Sequence, residues 1–155
     1  MSISTLVLAA EELSDPESPE QLARLDAALC DARSNECDRA CAEALMKVFE
    51  RFPEADGFGV FWSVLHFLEA GTAYKAVLVE SVRRAPSEFG LALVTRMINS
   101  GLRSVGTVEL MPVVRWLATG ESVNETVRQS ALNFLRGVEA NYAFKRTAGT
   151  GSRVS

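Results

Sequence analysis

Apolar residues recur at helical spacing along most of this chain. Between Pro19 and Asp31, Leu22, Leu25, Ala28 and Leu29 fall on one stripe, and Arg24, Asp26 and Asp31 fall opposite. Ser18-Pro19-Glu20-Gln21 is a helix start: a Ser to cap, Pro at the first helical position, and Gln three residues after the Ser. A second helix is predicted from about Asp38 to Phe52, with Cys41, Leu45, Val48, Phe49 and Phe52 inward and Pro53 ending it. The third, Phe58 to Ala70, is apolar on nearly every face (Phe58, Val60, Phe61, Trp62, Val64, Leu65, Phe67, Leu68). Such a helix needs neighbours on most sides, so it is the expected centre of the core, with Gly71 as its C-cap. A fourth helix is predicted over Ala73 to Arg84, stopping before Pro86, and Ser87 caps a fifth over Glu88 to Ser100. A sixth spans Val105 to Thr119, where Pro112 should kink it or split off an initial turn. Ser122 is read as the cap of a seventh, Val123 to Tyr142.

Short connections make successive helices antiparallel neighbours. The fold expected is therefore all-α, with about seven helices in antiparallel pairs. They are stacked as a HEAT-like short superhelix or, alternatively, gathered in an irregular bundle; no clean sequence repeat decides between the two. Strands find support only at Leu6-Val7-Leu8 and within Val77-Leu78-Val79. A chain of 155 residues fits one domain, read as 1–147, followed by a small, polar, flexible tail at 148–155. Asp15-Pro16-Glu17-Ser18-Pro19 reads as a loop. The opening segment has no basic region and runs at once into Glu11 and Glu12, a poor signal peptide. No apolar run approaches the ~20 residues of a membrane span. A cytoplasmic protein with no membrane partner is the expectation.

Charge changes the picture more through its distribution than through its sum of −4. Through Asp56 there are thirteen acidic and five basic residues, a net of −8, against +4 for the remainder. An acidic face would steer a basic partner, although uneven charge on a solvated helix surface is the plainer explanation. The later arginines (Arg83, Arg84, Arg96, Arg103, Arg115) do not form the basic stripe of a nucleic-acid binder, and a pI of about 5.1 argues against that partner.

Candidate chemistry is sparse. Cys30, Cys37 and Cys41 match no zinc signature, and His66 is the only histidine. The cysteines are read as free thiols packed as small hydrophobes; a disulfide framework is not expected for an odd count in a cytoplasmic chain. Ser63 and His66, three residues apart on one helix, lack the elbow and oxyanion loop of a nucleophile–base pair. His66 is read as partly buried with a backbone or carboxylate partner. Glu69 and Glu80 are ordinary surface acids. The glycines of Gly57-Phe58-Gly59 are read as shaping a tight turn, because Glu54 and Asp56 oppose an anion there. No HExxH, P-loop, GxGxxG or GxSxG occurs. The reading is therefore of a non-enzyme with no catalytic residue, metal or cofactor.

The stretch Phe52-Pro53-Glu54-Ala55-Asp56-Gly57-Phe58-Gly59-Val60-Phe61-Trp62-Ser63-Val64-Leu65-His66-Phe67-Leu68-Glu69 resembles small all-helical bacterial immunity proteins, and Leu78 to Phe89 continues the similarity. The resemblance covers roughly residues 40–140. Such proteins are encoded beside polymorphic toxins, contact-dependent or secretion-delivered, and neutralise a toxin domain by stoichiometric contact. The resemblance implies a cognate toxin as partner, and an acidic inhibitor surface would suit a basic nuclease or deaminase. Interfaces of this kind favour acidic and aromatic residues. The candidate contacts are thus Glu54, Asp56, Phe58, Ser87 and Glu88, with Glu11, Glu12 and Asp15 as second choice. Against this, Phe58 reads equally as core and the acids as helix caps. Two alternatives stand beside it: a HEAT-like adaptor for another protein, and a small helical enzyme with a polar pocket around His66 or the cysteines.

Overall fold

A computed structural model describes residues 2–150, with side chains described from Ile3 to Arg146. Eight helices follow in order: α1 (Ser2–Glu12), α2 (Pro19–Asp31), α3 (Arg39–Arg51), α4 (Val60–Glu69), α5 (Tyr74–Arg84), α6 (Glu88–Asn99), α7 (Leu110–Thr119) and α8 (Glu125–Thr150). A two-stranded hairpin, β1 (Ser104–Val105) and β2 (Val108–Glu109), precedes α7.

The helices pack in two layers. Each hairpin pair touches (α1 with α2, α3 with α4, α5 with α6, α7 with α8). Along the layers α1 meets α3 and α3 meets α5, while α2 meets α4, α4 meets α6 and α6 meets α8. That ladder of neighbours and next-but-one neighbours makes an all-α bundle of antiparallel helix pairs in two layers. Surface ion pairs follow the same layers: Arg39–Glu80 and Arg84–Glu50 join α3 to α5, and Arg96–Glu69 joins α6 to α4. Such exposed pairs add little stability, so packing carries the fold.

One core runs through the stack, from Leu6 and Ala10 on α1 to Val127 and Ala131 on α8. At its centre Phe49 stacks on Phe89 at 5.1 Å, and Phe61 meets Phe49 and Phe89 at 5.9 Å each. These offset and edge-on geometries add to area burial.

Several boundaries differ from the sequence reading. Residues 2–12 form a helix whose stripe is Ile3, Leu6 and Ala10, so there are eight helices among the described residues. Ser104 to Glu109 is a hairpin, with Gly106 at positive φ in its two-residue turn. Helix α7 therefore begins at Leu110, and Pro112 lies in its first turn, where no intrahelical N–H bond is lost. Helix α4 runs from Val60 to Glu69, and its C-cap is Ala70, one residue before Gly71. Helix α8 continues to Thr150, so 148–150 are helical backbone; 151–155 lie outside the described residues.

Asn124, two residues after the expected Ser122, caps α8: its Oδ1 accepts the Val127 N–H at 2.9 Å. Asn124→Ala should cost about 1 kcal/mol, and Ser122→Ala close to nothing. A urea titration that ranks them the other way would return the cap to Ser122.

The cysteine expectation is also corrected. Cys37 and Cys41 form a disulfide across the start of α3, with Cα atoms 5.4 Å apart. Cys30, expected in the core, is a free and exposed thiol. A spacing of four places two cysteines one helical turn apart, and odd counts leave such local pairs possible.

Candidate functional site

The antiparallel pairing gathers four turns at one end of the stack. The Arg51 guanidinium donates to the carbonyls of Ala10 (2.6 Å) and Leu13 (3.3 Å), tying the end of α1 to the end of α3. The Glu88 N–H donates to the Pro53 carbonyl at 2.9 Å, tying the α5–α6 turn to the α3–α4 turn. The Thr126 hydroxyl donates to Glu54 at 2.7 Å, bringing in the start of α8. All eight candidate contact residues therefore lie at this end.

Their roles there differ. Glu11 and Glu12 are exposed on the last turn of α1, and Asp15 is exposed in the loop that follows, its carboxylate accepting the Glu17 N–H at 2.9 Å. Ser87 is buried, 3% exposed, and its hydroxyl is engaged in capping α6 through the Gly90 N–H at 2.9 Å. Ser87 is a structural cap and drops out of the contact surface. Glu88 is half-buried and accepts from the Ser130 hydroxyl at 3.1 and 3.2 Å. Glu54 is exposed but also engaged, through Thr126. Glu54 thus holds α8 against the α3–α4 turn, and Glu88 holds it against the start of α6.

The carboxyl of Glu88 titrates above the usual carboxylate range. Burial is the main cause, opposed by the Ser130 hydrogen bond and reinforced by the charge of Glu54. With a folded-state value above the unfolded one, the native state holds the extra proton, so this group's contribution falls as pH rises through that window. Glu88→Gln should therefore raise the melting temperature at pH 7, and the gain should vanish below about pH 4, where both states are protonated. A gain that persists at low pH would contradict this.

Between Glu54 and α4 the chain makes an unusual turn. Gly57, Phe58 and Gly59 all have positive φ (56°, 49° and 93°), and Phe58 is the only non-glycine to do so among the described residues. Asp56 holds the turn from below. Its Oδ1 accepts the Phe58 N–H at 3.0 Å, and its carbonyl accepts from Gly59 (3.0 Å) and Phe61 (3.2 Å). Of the two readings of Phe58, core or contact, the first is excluded: the residue is 74% exposed. Trp62, one helical turn further on, is 45% exposed and rests edge-on against Phe89 at 5.0 Å. Two aromatic side chains thus stand at the surface, Trp62 resting on the Phe49–Phe61–Phe89 cluster and Phe58 on the turn that Asp56 holds.

Exposed charge at this end is mainly acidic. Glu11, Glu12, Asp15, Glu17, Glu20, Asp56 and Glu121 are exposed. Three nearby arginines are already engaged (Arg51 by carbonyls, Arg84 by Glu50, and Arg128 by Glu125 and the carbonyls of Gly120 and Val123), while Arg83 is exposed in the last turn of α5.

Sequence reasoning missed Trp62 as a surface residue, together with Thr126 and Ser130 as partners of the acids. The one available signal was Phe58 itself, a large ring between two glycines where a turn was already expected.

His66 is exposed, not partly buried, with its ring 6.4 Å from that of Trp62. No hydrogen bond joins it to Ser63 among the described residues. They line a cleft with Cys30 and Cys37 between the α2–α3 turn and the end of α4, at the opposite end of the stack. No group of three or more potential metal ligands occurs among the described residues, and no described helix is long and apolar enough to cross a membrane.

Comparison of the chain with protein-family models, curated proteins and solved structures finds no match.

Proposed function

We propose that this chain is an immunity protein that binds a cognate toxin domain and neutralises it by stoichiometric contact through the acidic end of the stack. One observation carries the reading: Phe58 is displayed to solvent on a left-handed turn, at the end of the stack that also carries Trp62 and several exposed acids. A non-glycine residue in that conformation costs about 1–2 kcal/mol. An aromatic anchor surrounded by polar residues is the anatomy of an interface hot spot. The acidic rim favours a basic partner, as a nuclease or deaminase domain would be, and speeds encounter with it.

The resemblance of residues 52–69 to immunity proteins supports the toxin as the partner, and the cytoplasm as the place where it is met. Co-expression with the toxin domain encoded by the adjacent gene is the test. Survival of the cells and co-purification of the two chains are expected; death without association sinks the proposal. The adaptor reading draws on the two-layer helical stack, which in other proteins serves as a general binding surface. It predicts association with a different protein and no protection.

A further inference from the structure

We propose that the Cys37–Cys41 disulfide is an exchange site for a low-molecular-weight thiol of amino-acid type, which binds in the cleft beside it and attacks at Cys37. The site is independent of the toxin-binding reading, because it lies at the other end of the stack.

Three observations converge. The disulfide borders a cleft of about 800 Å³, enough for a ligand of tripeptide size. Its two cysteines differ in access: Cys37, 7% exposed, borders the cleft, whereas Cys41 is fully buried on α3 and does not. The cleft wall carries Arg33, which has no ion pair among the described residues, opposite in sign to Asp26 and Glu36 on the same wall. Arg33 suits a carboxylate and the two acids suit an ammonium, the two charges of an amino-acid-derived thiol.

Access fixes the direction of exchange. The thiolate attacks the Cys37 sulfur, the bond between Cys37 and Cys41 breaks, and a mixed disulfide forms on Cys37. Cys41 leaves as a thiolate in the first turn of α3, where the helix dipole favours negative charge, and takes up a proton. A second thiol molecule then attacks the bound thiol's sulfur, releasing Cys37 as a thiolate and leaving as the low-molecular-weight disulfide. Two thiols are oxidised and one protein disulfide is reduced. Cys30 is a free thiol exposed on the same cleft.

The experiment uses the full chain, air-oxidised, then treated anaerobically with reduced glutathione. The reaction is quenched with acid, alkylated with N-ethylmaleimide and mapped by peptide mass. Before glutathione, only Cys30 should alkylate; afterwards, glutathione should be found on Cys37 and the maleimide on Cys41. Arg33→Ala should slow opening by glutathione at least ~3-fold and leave opening by cysteamine, which lacks a carboxylate, unchanged. Alkylation of all three cysteines before thiol is added overturns the proposal. So does an adduct on Cys41, or an opening rate indifferent to Arg33 for both thiols.

Discussion

Gly57→Ala is expected to destabilise the chain by about 3 kcal/mol, the largest loss among surface-turn substitutions here. A Cβ at residue 57 would stand 2.7 Å from Cδ1 and Cε1 of Phe61 and 3.1 Å from Cδ2 of Leu22. Phe61 cannot move aside, since it is fully buried and held by Phe49, Phe52 and Phe89. Added to this is the left-handed backbone, with φ of 56°. In a domain of this size the loss corresponds to a fall in melting temperature of roughly 6–12 °C. Gly59→Ala is the internal control: φ is 93°, but nothing lies within 4 Å of its Cβ, so only the backbone cost of about 1–2 kcal/mol applies. Thermal melts that place the two variants level would show that the close approach to Phe61 does not exist.

Phe58→Ala should do the reverse, leaving the fold intact and removing function. With 74% of the residue already in water, stability should change by no more than about 0.5 kcal/mol. Phe58→Gly should even stabilise by about 1 kcal/mol, because glycine takes φ of 49° without strain. Binding of the toxin domain should weaken by about 2 kcal/mol or more, roughly 30-fold, for either variant. Titration calorimetry against the toxin domain gives the number, and protection in co-expression gives the phenotype. Unchanged affinity in Phe58→Ala would move the interface away from this turn.

The contrast between these two residues explains how much of the molecule was legible. Whereas at α8 the cap is Asn124 and not Ser122, two helix starts were readable from their local caps: Ser18 accepts the Gln21 N–H and Ser87 the Gly90 N–H, as the sequence implies. Even there the detail differs, since the Gln21 side chain turns to the N–H groups of Ser14 and Asp15. The hairpin was misread because Val105 and Val108 fit two structures at once. Three residues apart, they share a helix face, yet across a two-residue turn they are also paired strand partners. Only the Gly106-Thr107 dipeptide distinguishes the two. Phe58 read equally as core and as contact because hydrophobicity speaks for burial, whereas the left-handed turn between two glycines leaves it exposed. The grouping of the acids at one end was not legible from any local pattern, because it depends on which turns the antiparallel stack brings together. Glu54 and Glu88 look like neighbours of a binding loop in sequence, and their partners Thr126 and Ser130 lie 72 and 42 residues away.

The length of α8 sets a practical geometry. It begins at the acidic end, where Thr126 holds Glu54, and runs 26 residues, about 39 Å, away from it. Helix α7 beside it has 10 residues and covers only about 15 Å of that path. A fluorophore or affinity handle fused after residue 150 would therefore stand some 35 Å from the Phe58 turn, clear of any toxin seated there. Paired with a second dye on the toxin, the same helix becomes a ruler: a toxin bound at the acidic end leaves the dyes far apart, and one bound along the hairpin brings them together.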